Sequence, residues 1–229
     1  MLRLKLMSTV CATALALGLA PAQASGPDEG YEHHRQWYVS LYGGWARALD
    51  HKFDFVSNAG ASFAYTVSHD DGYTVGGAVG ILLTKNVRLE LDIAHSKFDY
   101  GNNYHSLGFT GQNERGSMDL TTVMANIWFD TNLGFVSPYV GGGVGFGTAS
   151  GDLTISNGSG RQFSGDDTGW AFQFGTGLRF PISSNIELDV GYRVKHVVDL
   201  NFASAITGFK TTNFDITTQA IQAGIVVKF

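Results

Sequence analysis

The sequence predicts an all-β chain folded as an eight-stranded antiparallel up-and-down transmembrane β-barrel. Three observations lead there. Eight segments alternate apolar residues with charged, small or glycine residues, no amphipathic helix competes with them, and the connections alternate strictly between long and short. An alternating segment turns one set of side chains to each face of a sheet. Eight apolar faces in an ordinary sheet would need helices or a second sheet to cover them, and residues 37–229 leave no stretch for either. A two-sheet sandwich would give cover, but it would not sort its loops by length between two ends. A closed sheet with its apolar face towards lipid satisfies every strand and has no unpaired edge.

The chain opens MLRLKLMSTVCATALALGLAPAQAS, with Arg3 and Lys5 ahead of an apolar run to Ala20 and Ala22-Gln23-Ala24 before a polar stretch. That layout predicts a cleaved signal peptide over residues 1–24. A polar, periplasmic lead over 25–36 and a barrel domain over 37–229 follow. The apolar run is short for a membrane helix, which needs about 18 residues or more. The only cysteine, Cys11, lies within the signal, so the exported chain has no disulfide or thiol chemistry. Cleavage would remove two cations and no acid, taking the formal charge from −5 to −7. An acidic chain is a poor nucleic-acid partner, and none is expected.

The strands are expected in order at Trp37 to Leu49, Gly72 to Leu83, Val87 to Phe98, Ser117 to Phe129, Ser137 to Ala149, Gly169 to Phe180, Ile186 to Val198 and Phe214 to Phe229. Short turns fall at 84–86, 130–136 and 181–185. Long polar loops fall at 50–71, 99–116, 150–168 and 199–213. In VRLELDIAH, Val87, Leu89, Leu91 and Ile93 oppose Arg88, Glu90 and Asp92; in IELDVGYRVK, Ile186, Leu188, Val190 and Val194 oppose Glu187, Asp189, Arg193 and Lys195. Arg179 and Lys228 fall on the same polar face of their strands. In a membrane barrel this face looks inward, so Arg88, Glu90, Asp92, Arg179, Glu187, Asp189, Arg193, Lys195 and Lys228 are expected to form a mutually paired lumen network. Eight strands leave an interior that side chains fill, so a wide pore is not expected. Outward aromatics are expected at both interfaces: Trp37, Phe129, Phe180 and Phe229 near the short turns, and Tyr73, Trp170 and Tyr192 near the long loops.

The signal peptide, the segment VMANIWFDTNLGFVSPYVGGGVGFG at 123–147, the late GYRVKH and the terminal AGIVVKF together resemble the eight-stranded OmpA-like and opacity-type outer-membrane barrels of Gram-negative bacteria. The resemblance spans residues 37–229. It implies the outer membrane as location, with lipid, lipopolysaccharide and the barrel-assembly machinery as partners and a monomeric state. In that family a terminal aromatic preceded by alternating apolar residues is the assembly signal, and Ile221, Ala223, Ile225, Val227 and Phe229 match it. The expected function is structural, with the surface loops mediating recognition or adhesion of an extracellular ligand. A small porin-like channel is the alternative, and a lipid-modifying enzyme the weaker one.

No catalytic, cofactor or metal site is expected. The glycine runs at 74–80 and 140–147 do not fit a phosphate-binding loop, and Gly141, Gly143, Gly145 and Gly147 read as inward positions that make room for bulky neighbours. His95 and His196 face outward near the long loops, whereas Ser96 faces inward, beyond the reach of His95 as a base. His33-His34, His51, His69 and His105 are read as solvated, since metal binding needs several ligands to converge. Asp70-Asp71 and Asp166-Asp167 are read as solvated acid pairs, with cation binding beside headgroup phosphates as the weaker reading. The loop aromatics Phe53, Phe55, Phe63, Tyr65, Tyr104, Phe109 and Phe163 suit either ligand recognition or a self-packed cap.

Overall fold

The computed structural model describes residues 36–49, 51–57, 62–67, 71–99, 114–155, 160–200, 209–211 and 214–229. The expected signal peptide, and the polar lead except Gln36, lie outside them. Eleven strands are present: β1 (Trp37–Ala48), β2 (His51–Ser57), β3 (Ser62–Val67), β4 (Asp71–Thr84), β5 (Val87–Asp99), β6 (Glu114–Asp130), β7 (Ser137–Ile155), β8 (Gly160–Pro181), β9 (Ile186–Leu200), β10 (Phe209–Thr211) and β11 (Phe214–Lys228). Eight of them close into an antiparallel barrel in the order β1-β4-β5-β6-β7-β8-β9-β11. Closure runs through β1 and β11, from Tyr38 opposite Lys228 to Ala48 opposite Thr218. Trp37 and Phe229 finish the seam with two backbone hydrogen bonds, Trp37 N–H to Phe229 O at 3.2 Å and Phe229 N–H to Trp37 O at 2.9 Å.

The strands form where alternation predicts them, but the long connections hold more strand than expected. β7 runs past Ala149 to Ile155, and β8 starts at Gly160 rather than Gly169. β2, β3 and β10 make a separate small sheet within the first and last long connections, with Phe53 opposite Tyr65 and Phe55 opposite Phe63 in register. The glycine, serine and aspartate content of these stretches lowers intrinsic strand preference, which tertiary pairing overrides. Tight turns join β4 to β5 and β8 to β9 at the opposite end. The β6–β7 turn uses Gly134 at φ 92°, a conformation that favours glycine, with its N–H donated to Asn132 Oδ1 at 2.8 Å.

The barrel is inside out. Leu41 and Phe174 on its outer wall are 74% and 59% exposed, whereas Trp128 and Met124 within it are fully buried. In water such a wall would be an aggregation surface; in hydrocarbon it is the required surface. Leu91→Arg, at the middle of the β5 outer face, is therefore expected to destabilise the barrel in lipid by about 2–4 kcal/mol. Urea unfolding of vesicle-reconstituted protein reads this directly, and an unchanged midpoint would place that face in water.

Candidate functional site in the barrel lumen

The inward side chains separate into two layers. Nearer the short turns lies a charged layer, and its centre is Arg88 on β5. Arg88 Nε donates to Asp130 Oδ2 at 2.6 Å, and Nη1 donates to the Tyr38 hydroxyl at 3.1 Å. Its guanidinium also lies over the Tyr38 and Tyr139 rings, at 5.5 and 5.2 Å. Glu90 accepts from the Tyr38 hydroxyl at 2.9 Å, Trp128 Nε1 at 2.9 Å and Asn126 Nδ2 at 3.2 Å. On the far wall Glu187 is held between Arg179 and Lys228, while Asp189 accepts from the Tyr139 hydroxyl at 2.7 Å. Arg193 donates to that same hydroxyl at 3.0 Å and stacks 4.2 Å above Trp128.

At the top of this layer an ion pair crosses the lumen. β5 and β9 stand four strands apart in either direction round the barrel, yet Lys195 Nζ lies 3.7 Å from Asp92 Oδ1 and donates to Thr122 at 2.9 Å. Asp92 also accepts from the Tyr42 hydroxyl at 2.5 Å. The nine residues expected in the lumen all point inward: eight of them stand in ion pairs, and Arg193 reaches Asp189 through the Tyr139 hydroxyl. A tenth joins them: Asp130, the last residue of β6, which the sequence reading assigned to a turn. With it the layer holds five cations (Arg88, Arg179, Arg193, Lys195, Lys228) and five carboxylates (Glu90, Asp92, Asp130, Glu187, Asp189). Net neutrality matters because an unmatched charge in this low-dielectric interior would bear its full desolvation cost. The signal for Asp130 was present, since Phe129 faces lipid and its neighbour must face inward.

Above the ion pair the lumen changes character. Phe98, Met118, Leu120, Met124, Val197, Leu200 and Ile216, with Ala46, Ala48, Ala149 and Ala171, pack into one buried apolar cluster. The change is visible along β5, whose inward face reads Arg88, Glu90, Asp92, Ala94, Ser96, Phe98, so that its charges stop halfway. A small cavity of about 20 Å³ remains in the charged layer among Tyr38, Tyr42, Arg88, Glu90, Asp92 and Arg193, room for roughly one or two waters. Arg88 Nη2 and Asp92 Oδ1, both buried, have no hydrogen-bond partner there.

The other expected positions are also placed. Ile221, Ala223, Ile225, Val227 and Phe229 all lie on the outer face of β11 or its end. Ser96 points inward and donates to Thr74 at 2.9 Å, away from the outward His95. Gly141 and Gly143 face Trp128 and Asn126, as expected of spacing glycines. The side chains of the loop aromatics lie outside the described residues.

A closed eight-stranded barrel, with an apolar outer wall and an interior that is charged at one end and largely apolar at the other, defines the architecture, and a family comparison agrees with it. The family described as outer membrane protein beta-barrel domain matches residues 9–229. The chain belongs to that family. It is therefore an outer-membrane protein. Among solved structures it resembles the outer membrane protein OprG from Pseudomonas aeruginosa, at 16% identity and a TM-score of 0.52 over 86% of this chain and 97% of that one. The outer membrane protease OmpT from Escherichia coli matches at 8% identity and 0.52, over 90% and 100%. Neisserial surface protein A matches at 18% identity and 0.46, over 84% and 97%. The two matches at 0.52 show likeness of fold alone. No curated protein matches the chain.

Proposed function

We propose that this outer-membrane barrel is a closed, non-conducting scaffold that supports the membrane and presents its long connections for recognition at the cell surface. The observation that carries this reading is the apolar layer spanning the outer half of the lumen. An ion leaving the charged layer would have to enter a mainly apolar layer, where a few hydroxyls do not compensate its desolvation. The charged layer beside it balances five cations against five carboxylates and so carries no excess charge to draw ions of either sign. The scaffold reading also agrees with the placement of extra strand, since β2, β3, β10 and the outer ends of β6, β7 and β8 all lie on the long-connection side. The short turns and both ends of the barrel chain would then face the periplasm, the barrel-assembly machinery would read the β11 pattern ending in Phe229, and the protein would act as a monomer.

Planar-bilayer recording of the refolded protein tests the proposal. Silence is the expected result once heat-modifiable gel migration confirms folding. Discrete openings that change on neutralising Glu187 or Arg193 would replace the scaffold with a small channel.

A further inference from the structure

The outer wall carries a second polar pattern that the lumen does not explain. Just above the apolar belt, each of the four hairpins that lead into long connections bears an outward-facing polar pair directly across its strands. These are Arg47 opposite Asp71, His95 opposite Thr121, Thr148 opposite Thr168, and His196 opposite Thr217. Two of the four share one construction. On β5 and β6, His95 Nδ1 meets Thr121 Oγ1 at 3.1 Å, and His95 Nε2 lies 3.4 Å from Asp119 Oδ1. On β9 and β11, His196 Nδ1 meets Thr217 Oγ1 at 2.9 Å, and His196 Nε2 lies 3.9 Å from Asp215 Oδ2. An Asp-x-Thr segment thus answers a histidine twice, on hairpins standing on opposite sides of the barrel.

We propose that these two hairpins form matched clips for a divalent cation of the zinc class, held between imidazole Nε2 and a carboxylate oxygen, with water completing the coordination. The geometry suits that ion. Two ligands each about 2.0–2.2 Å from a tetrahedral zinc stand roughly 3.3–3.5 Å apart. The His95 clip already has this spacing, and the His196 clip reaches it with a small rotation of either exposed side chain. The threonine is what a metal-binding histidine requires behind it: a hydrogen-bond partner on the other ring nitrogen, which fixes the ring and aims Nε2 at the ion. At the second clip the carboxylate is held as well, because the Asp199 N–H donates to Asp215 Oδ1 at 3.2 Å and leaves Oδ2 towards the histidine. Among the described residues no three histidine, cysteine or acidic side chains converge, so each clip is a two-ligand, exchangeable site rather than a structural one. Its height at the edge of the apolar belt puts a bound ion in the headgroup layer. Lys97 lies opposite Asp119 in register and competes for that carboxylate.

The test is zinc chloride titrated into the refolded chain in detergent micelles, with the histidine ring nitrogens followed by nitrogen-15 NMR. The Nε2 signals of His95 and His196 are expected to move and saturate. Asp119→Asn and Asp215→Asn should each abolish the movement at their own clip. Thr121→Val and Thr217→Val should weaken it about tenfold, as loss of an orienting partner does. Lys97→Gln should tighten the first clip and leave the second unchanged. Zinc that moves only the signals of other histidines, or Asn variants that bind as tightly as the parent, would overturn the proposal. The parent spectrum decides the first point without any variant having to fold.

Discussion

Arg88→Met is expected to lower the stability of the barrel in lipid by about 3–5 kcal/mol, the range for removing one partner from a buried ion pair. Methionine nearly fills the space of the arginine stem, so little of the loss comes from a cavity. The loss comes from what is stranded. Asp130 loses its 2.6 Å donor, and Glu90 and the Tyr38 hydroxyl lose a neighbouring cation, all within a layer where Arg88 is only 3% exposed. Urea unfolding of vesicle-reconstituted protein, followed by tryptophan fluorescence, measures the change. The double replacement Arg88→Met with Asp130→Asn should recover part of it, because contacting residues do not act additively. A loss below about 1 kcal/mol, the range of exposed pairs, would mean that water screens the layer freely.

That prediction depends on a residue the sequence reading left outside the network, and the reason is instructive. Strand alternation is a local property, so it located all eight barrel strands and the inward direction of Arg88, Glu187 and their companions. Strand ends are where the pattern is shortest, and there Asp130 was assigned to a turn. Cross-lumen pairing is a different kind of information. Asp92 meets Lys195 only because β5 and β9 oppose each other in a closed sheet, and no spacing within either strand encodes that. The apolar plug was legible residue by residue in Phe98, Leu120 and Val197. What no single strand encodes is that these residues, from β5, β6 and β9, meet at one level of the closed barrel. The Asp-x-Thr repeat at 119–121 and 215–217 is visible in the sequence, but only the register places a histidine beside each threonine.

Gly143→Ala is expected to prevent the barrel from forming, whereas Gly43→Ala should leave it intact. Both are strand glycines, and neither has an unusual backbone angle, so composition does not separate them. Their surroundings do. A Cβ on Gly143 would lie 2.1 Å from Asn126 Oδ1 and 2.3 Å from the Ala125 carbonyl oxygen. The side chain of Asn126 is committed, accepting from Gln173 Nε2 at 2.9 Å and donating to Glu90 at 3.2 Å. Moving it would pull on the charged layer, and the Ala125 carbonyl belongs to the neighbouring strand, so no rotamer relieves the collision. At Gly43 the nearest atoms to a new Cβ are the Thr74 carbonyl at 3.7 Å and Val75 Cγ1 at 3.8 Å, ordinary contacts on the lipid side. There alanine only restricts the unfolded chain, worth about 0.4–1 kcal/mol in favour of folding. Gel migration with and without heating distinguishes the two variants: Gly43→Ala should show the folded shift and Gly143→Ala should not. If Gly143→Ala also folds, β6 and β7 can separate locally, and the inward glycines of β7 would be a convenience of packing rather than a condition for closing the barrel.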